Sequence, residues 1–441
     1  MSTDLRRIGE KAHRDPEEVF TNLYHHIYDV DNLRACYDTL DARKAVGADG
    51  VSKAEYGRNL EENLRELSAR LKRMGYRPGP KRRSYIPKAG SAKGRPLGIS
   101  NLEDKIVEAA TKRTLEPIYE AVFEPSSYGY RPESNQHKCL DALGRTIQQK
   151  KVSHIVEADI KSFFDKVNHA WMVKFLRHRI GDERVIRLII RMLKSGILEE
   201  GLVRATEEGT PQGSILSPLL SNIYLHYVLD LWFSKRVSRP SRGEAYYFRF
   251  ADDFLACFQY KADAEQFQER LADRLEGFGL KLAEEKTQCI EFGRFARENA
   301  QREGKKPKEF TFLGFTHYCG KTREGHFKVK RRTSGKKLGQ NLRKFNDWAR
   351  KARHVLRKGE MIRRARIRVV GHLNYYAITD NSARCSTYLH HSEQILFKWL
   401  NRKSQRRAYT WAGFVQARAW ADWPTGRIRK DLNPCRRAEA Y

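Results

Sequence analysis

The stretch that decides the fold is YYFRFADDFLACF, residues 246–258, in which two adjacent acids interrupt a run of aromatic and small apolar residues. The flanks YYFRF and FLACF each have the composition of a buried strand. Asp252 and Asp253 are therefore predicted to occupy a tight hairpin turn from which both carboxylates project together. A purely structural explanation stays open, because aspartates in turns also hydrogen-bond to nearby backbone.

A second acidic position follows another short strand pattern. In HIVEADI, residues 154–160, alternation places Glu157 and Asp159 on one face and apolar residues on the other. Carboxylates that converge from two strand ends repel each other unless a cation neutralises them. Carboxylate oxygens are hard ligands, which favours Mg²⁺ over zinc. Two such ions can activate a 3′-hydroxyl and stabilise a leaving pyrophosphate, which is polymerase chemistry.

The charge of the chain predicts a polyanionic partner. Of its 441 residues, 85 are Lys or Arg and 54 are Asp or Glu, a formal net charge of +31. Residues 321–441 alone hold 31 basic and 8 acidic residues, so the C-terminal part carries most of the surplus. Such a surplus makes nucleic-acid binding the first expectation.

Cysteine spacing and hydropathy indicate the compartment. The seven cysteines form no C-x-x-C pair, which argues against a zinc knuckle and a disulfide framework. The N-terminus lacks an apolar signal segment, and the longest uncharged stretch, residues 209–229, is interrupted by Pro211 and Pro218. The sequence therefore predicts no membrane association and a cytoplasmic protein, in the bacterial cytosol or associated with the nucleoid.

Apolar spacing outlines the elements around the two acidic sites. Residues 1–75 have helical spacing interrupted by a glycine-containing loop at 43–52, and residues 76–100 have the pattern of a β-hairpin with a basic tip. From about residue 330, apolar residues at helical spacing predict an amphipathic helix whose outer surface is basic. Solvation is the alternative explanation of that surface. The further basic runs at 363–368 and 401–407 favour nucleic-acid contact.

Several motifs accompany the acids in a fixed order. They are KAVGADGVS, YIPKAGSAKGRPLGIS, LEPIYEAVFEPSSYGYRPESN, EADIKSFFDKVNH, EEGTPQGSILSPLLSNIYLH, YYFRFADDF, LKLAEEKTQCIEF, FTFLGF, GHLNYYAI and FKWLNRKSQRR. Together they resemble reverse transcriptases of the group II intron-encoded type, over most of the chain from about residue 43 to 410. The resemblance implies an α+β fold, a right-hand polymerase with fingers, a palm with an antiparallel sheet, and a helical thumb.

The resemblance also implies a division into five parts. The expected parts are a helical N-terminal extension at 1–58, fingers at 59–150, a palm with the catalytic acids at 151–325, a helical thumb or maturase (X) domain at 326–400, and a basic C-terminal segment at 401–441 without an HNH endonuclease. Without that nuclease, primers for intron mobility would come from existing nicks or replication forks.

In this family the acids have defined roles. The resemblance makes Asp159, Asp252 and Asp253 the catalytic residues and metal ligands, with the carbonyl of Ile160 as a further ligand. The expected cofactor is two Mg²⁺ ions, for which Mn²⁺ is expected to substitute. FADD stands where YADD is commoner, and the lost hydroxyl is not expected to abolish activity.

The family's nucleotide site maps onto five positions. They are Lys88, Arg95, Phe164, Gln212 and Lys286. The ring of Phe164 would lie beneath the incoming sugar and exclude a 2′-hydroxyl, whereas Phe163 is expected in the core. Lys88 and Arg95 would hold the triphosphate, with Lys93 as a competitor for the lysine's role. Gln212, in PQG, would lie near the nascent base pair, and Lys286 is either the palm lysine near the phosphates or a surface lysine.

The resemblance extends to RNA contacts. The expected RNA-binding residues are Gly47, Asp49, Gly50, Arg363, Arg364, Arg402 and Lys403. GHLNYYAI, residues 371–378, resembles the maturase region, although Tyr375 and Tyr376 could instead be core aromatics. The expected partners are structured RNA, first of all intron RNA, an RNA template, a DNA primer or target, and dNTPs.

The predicted function is RNA-directed DNA polymerisation, with a maturase role in splicing. Two alternatives remain open. One is a free-standing relative used in DNA repair, phage defence or CRISPR spacer acquisition, which the flanking DNA would distinguish. The other is an RNA-binding splicing factor without polymerase activity, which the presence of all three acids disfavours.

Overall fold

The computed structural model describes residues 3–86 and 94–436. The α-helices are α1 Thr3–Arg14, α2 Tyr24–Tyr28, α3 Val30–Thr39, α4 Lys53–Tyr56, α5 Leu60–Lys72, α6 Leu102–Glu120, α7 Gln136–Gln149, α8 Phe163–Lys166, α9 His169–Arg177, α10 Glu183–Leu193, α11 Ser217–Leu225, α12 Lys261–Glu276, α13 Ala296–Arg302, α14 Gly335–Val355, α15 Lys358–Tyr376, α16 Ser382–Asn401 and α17 Trp411–Trp420. The strands are β1 Lys81–Ile86, β2 Arg95–Ile99, β3 His154–Ala158, β4 Ile197–Glu199, β5 Leu202–Arg204, β6 Ala245–Phe250, β7 Asp253–Phe258, β8 Gln288–Glu291, β9 Phe310–Phe312, β10 Phe315–Lys321 and β11 Phe327–Thr333. The fold is therefore mixed α and β.

The chain forms two compact units. The first consists of Met1–Cys139, Val156–Ala256 and Ala262–Cys289, and the second of Leu140–Ile155, Cys257–Lys261 and Ile290–Tyr441. These units do not follow the five parts expected from the sequence, and that finer division remains a prediction.

The first unit begins with the expected helices. The apolar faces of α2 and α3 bury Ile27 and Leu33, and residues 43–52 lie in the loop between α3 and α4, as predicted. Helix α6 is buried along most of its length, including the acids Asp104 and Glu108. Buried carboxylates require hydrogen-bond or charge partners, and α6 therefore carries polar contacts into the core.

Sheet 1 has the strand order β2-β1-β4-β5. Strands β1 and β2 pair antiparallel from Arg82↔Ile99 to Ile86↔Arg95, which confirms the predicted hairpin strands. Strand β1 also pairs parallel with β4, which turns back into β5.

Sheet 2 has the order β6-β7-β3-β8, so the strands that flank the two acidic motifs are neighbours. The middle of β6 and nearly all of β7 are buried, because both faces of these strands are covered. This burial fixes the turn between them at the end of the sheet.

The second unit combines a small sheet with long helices. Sheet 3 is an antiparallel meander of order β11-β10-β9. Helix α14 buries Leu338, Phe345, Ala349 and Ala352. Its apolar face matches the predicted amphipathic helix.

The structure also describes the long helices and the cysteines, on which the predictions about membranes and disulfides depend. In the part of the chain that the structure describes, no helix is both long and apolar enough to cross a membrane. All seven cysteines are free thiols.

Candidate active site

The turn between β6 and β7 carries two of the predicted catalytic acids. Ala251 adopts a left-handed conformation with φ 59°, which reverses the chain directly before Asp252. The side chain of Asp252 is half-buried and that of Asp253 is exposed. The predicted hairpin turn is therefore present.

The third predicted acid lies at the end of the adjacent strand. Asp159 follows β3, and its carbonyl accepts a hydrogen bond from the Ala283 amide at 2.8 Å. The next residue, Ile160, is 3% exposed and forms an antiparallel bridge with Leu282. This pairing brings Lys286 into reach, and its ammonium forms an ion pair with the Asp159 carboxylate.

The electrostatics of the acids reflect their proximity. Burial raises the pKa of Asp252, and the negative charge of Asp159 raises it further. The positive charges of Arg95 and Arg249 oppose this rise. The hydrogen bond to Asp159 raises the pKa of Lys286, and the charge of Asp253 contributes to the same shift. Carboxylates and cations from separate motifs thus act on one another in one region of the first unit.

The fit of this region to a metal ion is partial. Residues 3–86 and 94–436 contain no group of three or more His, Cys, Asp or Glu side chains placed to hold a metal. The expected cage of Asp159, Asp252 and Asp253 is therefore not assembled in this arrangement. The negative charge of Asp159 nevertheless raises the pKa of Asp252. Lys286 supplies a positive charge beside Asp159. The donor chemistry, carboxylate oxygen, suits Mg²⁺ or Mn²⁺.

Two predicted nucleotide-binding residues line one cavity. Phe164 and Gln212 both border a space of about 330 Å³, together with Arg83 and Pro96 of sheet 1. Phe164 is half-buried, whereas Phe163 is 2% exposed and packs on Tyr224, in agreement with the expected core role. The geometry leaves the Phe164 ring accessible from the cavity.

The loop that carries Gln212 is held by backbone contacts. The Gly98 amide donates to the Gln212 carbonyl at 2.8 Å. Gly213 has φ 107°, and a Cβ there would lie 3.0 Å from the Gly98 carbonyl oxygen. Glycine is required because the loop approaches sheet 1 so closely.

The predicted triphosphate residues are only partly described. Arg95 is exposed at the start of β2 and acts electrostatically on Asp252. Lys88 and its competitor Lys93 lie outside the described residues. Arg95 is therefore the basic residue of that motif for which the structure gives a position.

The predicted RNA-binding loop of the first unit is packed onto its own protein. Gly47 lies so close to Asn101 that a Cβ would overlap it, and the Ala48 amide donates to the Asn101 Oδ1 at 2.8 Å. Asp49 is exposed, and Gly50 has open space around it. Within this loop, Asp49 and Gly50 remain available for an RNA contact, whereas Gly47 has a packing role.

The predicted RNA-binding residues of the second unit also have internal partners. Arg363 stacks over Trp420 at 4.6 Å, and Arg364 forms an ion pair with Glu360 at 2.7 Å. These two pairs leave the guanidinium groups at the surface.

Arg402 and Lys403 occupy different environments. Arg402 lies 5.8 Å from the Trp399 ring. The Lys403 ammonium donates to the carbonyls of Arg353 and Leu356, at 2.6 and 2.8 Å, where it caps the end of α14.

Tyr375 and Tyr376, in the motif that resembles the maturase region, were given a core role as the alternative. Tyr376 is 8% exposed and so lies in the core. The hydroxyl of Tyr375 donates to the Leu313 carbonyl at 2.9 Å.

Sequence reasoning missed two buried ion pairs in the first unit. Arg249, within β6, is 0% exposed and binds Asp230. Lys81 and Glu108 form an ion pair whose side chains are 3% and 1% exposed. The available signal was a charged residue within an apolar strand or helix face, since such residues are rarely buried without a partner.

A family comparison covers the region that holds the acids. The pattern of the family described as reverse transcriptase (RNA-dependent DNA polymerase) matches residues 86–317, slightly more than half of the chain. Asp159, Asp252, Phe164 and Gln212 all fall within this match.

Individual relatives extend the comparison. The chain is 38% identical over 242 residues to the group II intron-encoded protein LtrA of Lactococcus lactis subsp. cremoris, which covers 54% of this chain and 40% of LtrA. It is 36% identical over 314 residues to protein YkfC of Escherichia coli strain K12, which covers 64% of this chain and 82% of YkfC. It is 26% identical over 152 residues to nuclear intron maturase 3, mitochondrial, of Arabidopsis thaliana, which covers 33% of this chain and 21% of that protein. The chain thus spans less than half the length of LtrA.

Proposed function

Because the chain belongs to the reverse transcriptase family, in its group II intron-encoded branch, we propose that it is an RNA-directed DNA polymerase that extends a DNA or RNA primer on an RNA template. The observation that supports this most is that Asp159 and Asp252 lie at the ends of two neighbouring strands, β3 and β7. Lys286 pairs with Asp159, and the positive charge of Arg95 acts on Asp252. A template-directed enzyme needs this pairing of acids with phosphate-binding cations.

Asp159, Asp252 and Asp253 would hold Mg²⁺, with the Ile160 carbonyl as a further oxygen ligand. When bound, the ions would activate the primer hydroxyl and neutralise charge on the triphosphate. Binding requires Asp159 to exchange its ion pair with Lys286 for the metal.

The protein's own residues would bind and select the nucleotide. Arg95, at the exposed start of β2, would contact the triphosphate, and Lys286, once separated from Asp159, would add a second positive charge. The Phe164 ring would face the sugar from the cavity that it shares with Gln212. A ribonucleotide carries one more hydroxyl, which would collide with this ring.

We further propose that the first unit holds the fingers and most of the palm and that the second holds the thumb. Sheet 1 would form the fingers sheet and sheet 2 the palm sheet, and helices α14–α16 would form the thumb. Sheet 3, residues 310–333, lies in the second compact unit, although the sequence placed most of it in the palm.

A maturase role is the second part of the proposal. The basic residues of the second unit are distributed over α14, α15 and the segment after α16, and several stack on tryptophans, such as Arg368 over Trp348 at 4.6 Å and Arg353 over Trp399 at 4.7 Å. Structured RNA is recognised through its shape and phosphates, which a broad basic surface can contact. Intron RNA is the proposed ligand.

Primer extension on an RNA template with dNTPs and Mg²⁺ tests the polymerase. The wild-type chain is compared with Asp252→Asn/Asp253→Asn, and Asp347→Asn, at an exposed aspartate of α14, is the matched control. We expect extension by the wild type and the control and none by the double variant. Extension by the double variant at the wild-type rate would remove these acids from the mechanism.

RNA binding measured in parallel separates the alternatives. If neither the wild type nor the control extends the primer while intron RNA is still bound tightly, the chain is a splicing factor without polymerase activity. If it extends primers but binds intron RNA no better than an unrelated RNA of equal length, a free-standing enzyme replaces the maturase proposal.

A further inference from the structure

The β6–β7 turn is held by a side chain that lies inside the protein. The guanidinium group of Arg249 is fully buried and donates from all of its nitrogens. Nε donates to Asp230 at 2.7 Å, and Nη2 donates to Asp230 at 2.5 Å and to the Ser127 hydroxyl at 2.7 Å. Nη1 donates to the Asn222 Oδ1 and to the Ala251 carbonyl, both at 3.0 Å. All five N–H groups of the side chain are thereby used.

The contact with Ala251 falls on the strained residue of the turn. At φ 59° the backbone of Ala251 is in the left-handed region, which residues with a Cβ rarely adopt, so surrounding contacts must impose this conformation. The carbonyl that Arg249 binds belongs to the residue directly before Asp252. The contact therefore lies on the peptide group that joins Ala251 to Asp252.

The backbone of Gly129 also packs closely against Ala251. Gly129 lies so close to the Ala251 amide that a Cβ on Gly129 would overlap it. The Asn222 Nδ2 donates to the Gly129 carbonyl at 2.7 Å, while its Oδ1 accepts from Arg249. One amide side chain thus links both groups that contact Ala251.

The partners of Arg249 are buried as well. Asp230 and Asn222 are each 1% exposed and Ser127 is 2% exposed. Asp230 belongs to the π-helical turn His226–Asp230 that continues α11. Asp230 supplies the charge that allows an arginine to be buried here.

We propose that Arg249 is a positioning residue that, with Asn222 and Gly129, fixes the left-handed turn at Ala251 and so presents the Asp252 carboxylate to the metal ion. The inference rests on the proposed polymerase function and adds a residue that contacts neither nucleotide nor metal. Removal of a group that orients a metal ligand typically lowers metal affinity or activity about 10- to 100-fold.

The test uses Arg249→Lys. Lysine keeps the charge beside Asp230, but its single ammonium cannot reach Asp230, Asn222, Ser127 and Ala251 together. Ser127→Ala is the matched control, because it removes one hydrogen bond from the same guanidinium and leaves the Ala251 contact intact. Asn222→Asp is a second variant, since its new oxygen would face the Gly129 carbonyl while Arg249 keeps an acceptor.

Two measurements are made on each folded variant. Mn²⁺ binding is followed by electron paramagnetic resonance, and kcat, KM for dNTP and the half-saturating Mg²⁺ concentration are taken from primer extension below the unfolding transition. For Arg249→Lys and Asn222→Asp we expect Mn²⁺ affinity and kcat to fall about 10- to 100-fold, with KM for dNTP changed less than threefold. Ser127→Ala is expected to stay within about threefold of the wild type.

The outcomes are distinguishable. An unchanged Mn²⁺ affinity in Asn222→Asp and Arg249→Lys, or losses in all three variants that only follow their melting temperatures, would overturn the positioning role. If Arg249→Lys does not fold, Asn222→Asp decides. If the wild type binds Mn²⁺ but does not extend primers, the proposed function fails, and the Mn²⁺ affinities of the variants still test the positioning role.

Discussion

The buried pair of Lys81 and Glu108 gives the sharpest prediction of stability. Lys81 Nζ lies 2.5 Å from one Glu108 oxygen and 3.0 Å from the Ser100 hydroxyl, which also donates to that oxygen at 3.0 Å. The other Glu108 oxygen accepts from the Ile215 amide at 2.9 Å. The pair thus connects sheet 1, α6 and the loop that carries Gln212.

The perturbation is Lys81→Met, which keeps the length of the side chain and removes its charge. Glu108 then stays buried without its counter-charge, and breaking such a pair typically costs about 3–5 kcal/mol. For a unit of this size the loss corresponds to a fall in melting temperature of roughly 6–20 °C. In Lys81→Met/Glu108→Gln no charge remains, and the amide can still accept from Ile215 and donate to Ser100. The double variant is therefore expected to be more stable than Lys81→Met alone.

Urea unfolding and calorimetry at pH 7 measure both variants. Lys112→Met is the control, because Lys112 pairs with Glu116 at 3.2 Å on the same helix with both side chains partly exposed, and such pairs contribute less than about 1 kcal/mol. A loss below 1 kcal/mol in Lys81→Met, or a double variant less stable than the single one, would refute the reasoning.

Three further predictions concern selectivity, pH and salt. Phe164→Ala should raise ribonucleotide incorporation, because the ring that borders the cavity is removed. Single-nucleotide extension with dNTP and with NTP measures this. An unchanged preference for dNTP would show that Phe164 does not exclude the 2′-hydroxyl. Burial raises the pKa of Asp104 to about 6 from 3.8, so the folded state binds its proton more tightly than the unfolded state. The free energy of unfolding should therefore fall as pH rises from about 4 to about 6, and Asp104 should cause no further fall above that pH. Urea unfolding at several pH values should show this pH dependence in the wild type and not in Asp104→Asn. The same pH dependence in both proteins would contradict the prediction. RNA affinity should fall steeply as the salt concentration rises, with a log–log slope of roughly −0.7 to −0.9 per phosphate contact. Filter binding measures this, and an affinity that does not change with salt would show that the basic surface does not bind RNA phosphates.

Much of the fold was predictable because it depends on local periodicity. The hairpin around Asp252, the strand before Asp159 and the amphipathic helix α14 follow from apolar spacing that the sequence displays directly. The amphipathic spacing also located the buried face of α14, although Leu342 is only half-buried.

The candidate site was predictable in its residues but not in its contacts. The motifs named Asp159, Asp252, Phe164 and Gln212. In the structure Asp159 acts electrostatically on Asp252, and Phe164 and Gln212 line one cavity. The ion pair between Asp159 and Lys286 was not foreseen, because it depends on the bridge between Ile160 and Leu282, more than a hundred residues apart. The contact of the Lys403 ammonium with the end of α14 was not foreseen either, and its expected RNA contact remains a prediction.

The sequence by itself determined the family, and it predicted the catalytic acids and the basic RNA-binding surface, because each of these depends on residue type, order and charge. Only the tertiary structure decided which charges neutralise one another. Arg249 meets Asp230, and Lys81 meets Glu108, through pairs that no local pattern records. The physical reason is that a buried charge is stable only beside a partner, and the chain's packing selects that partner.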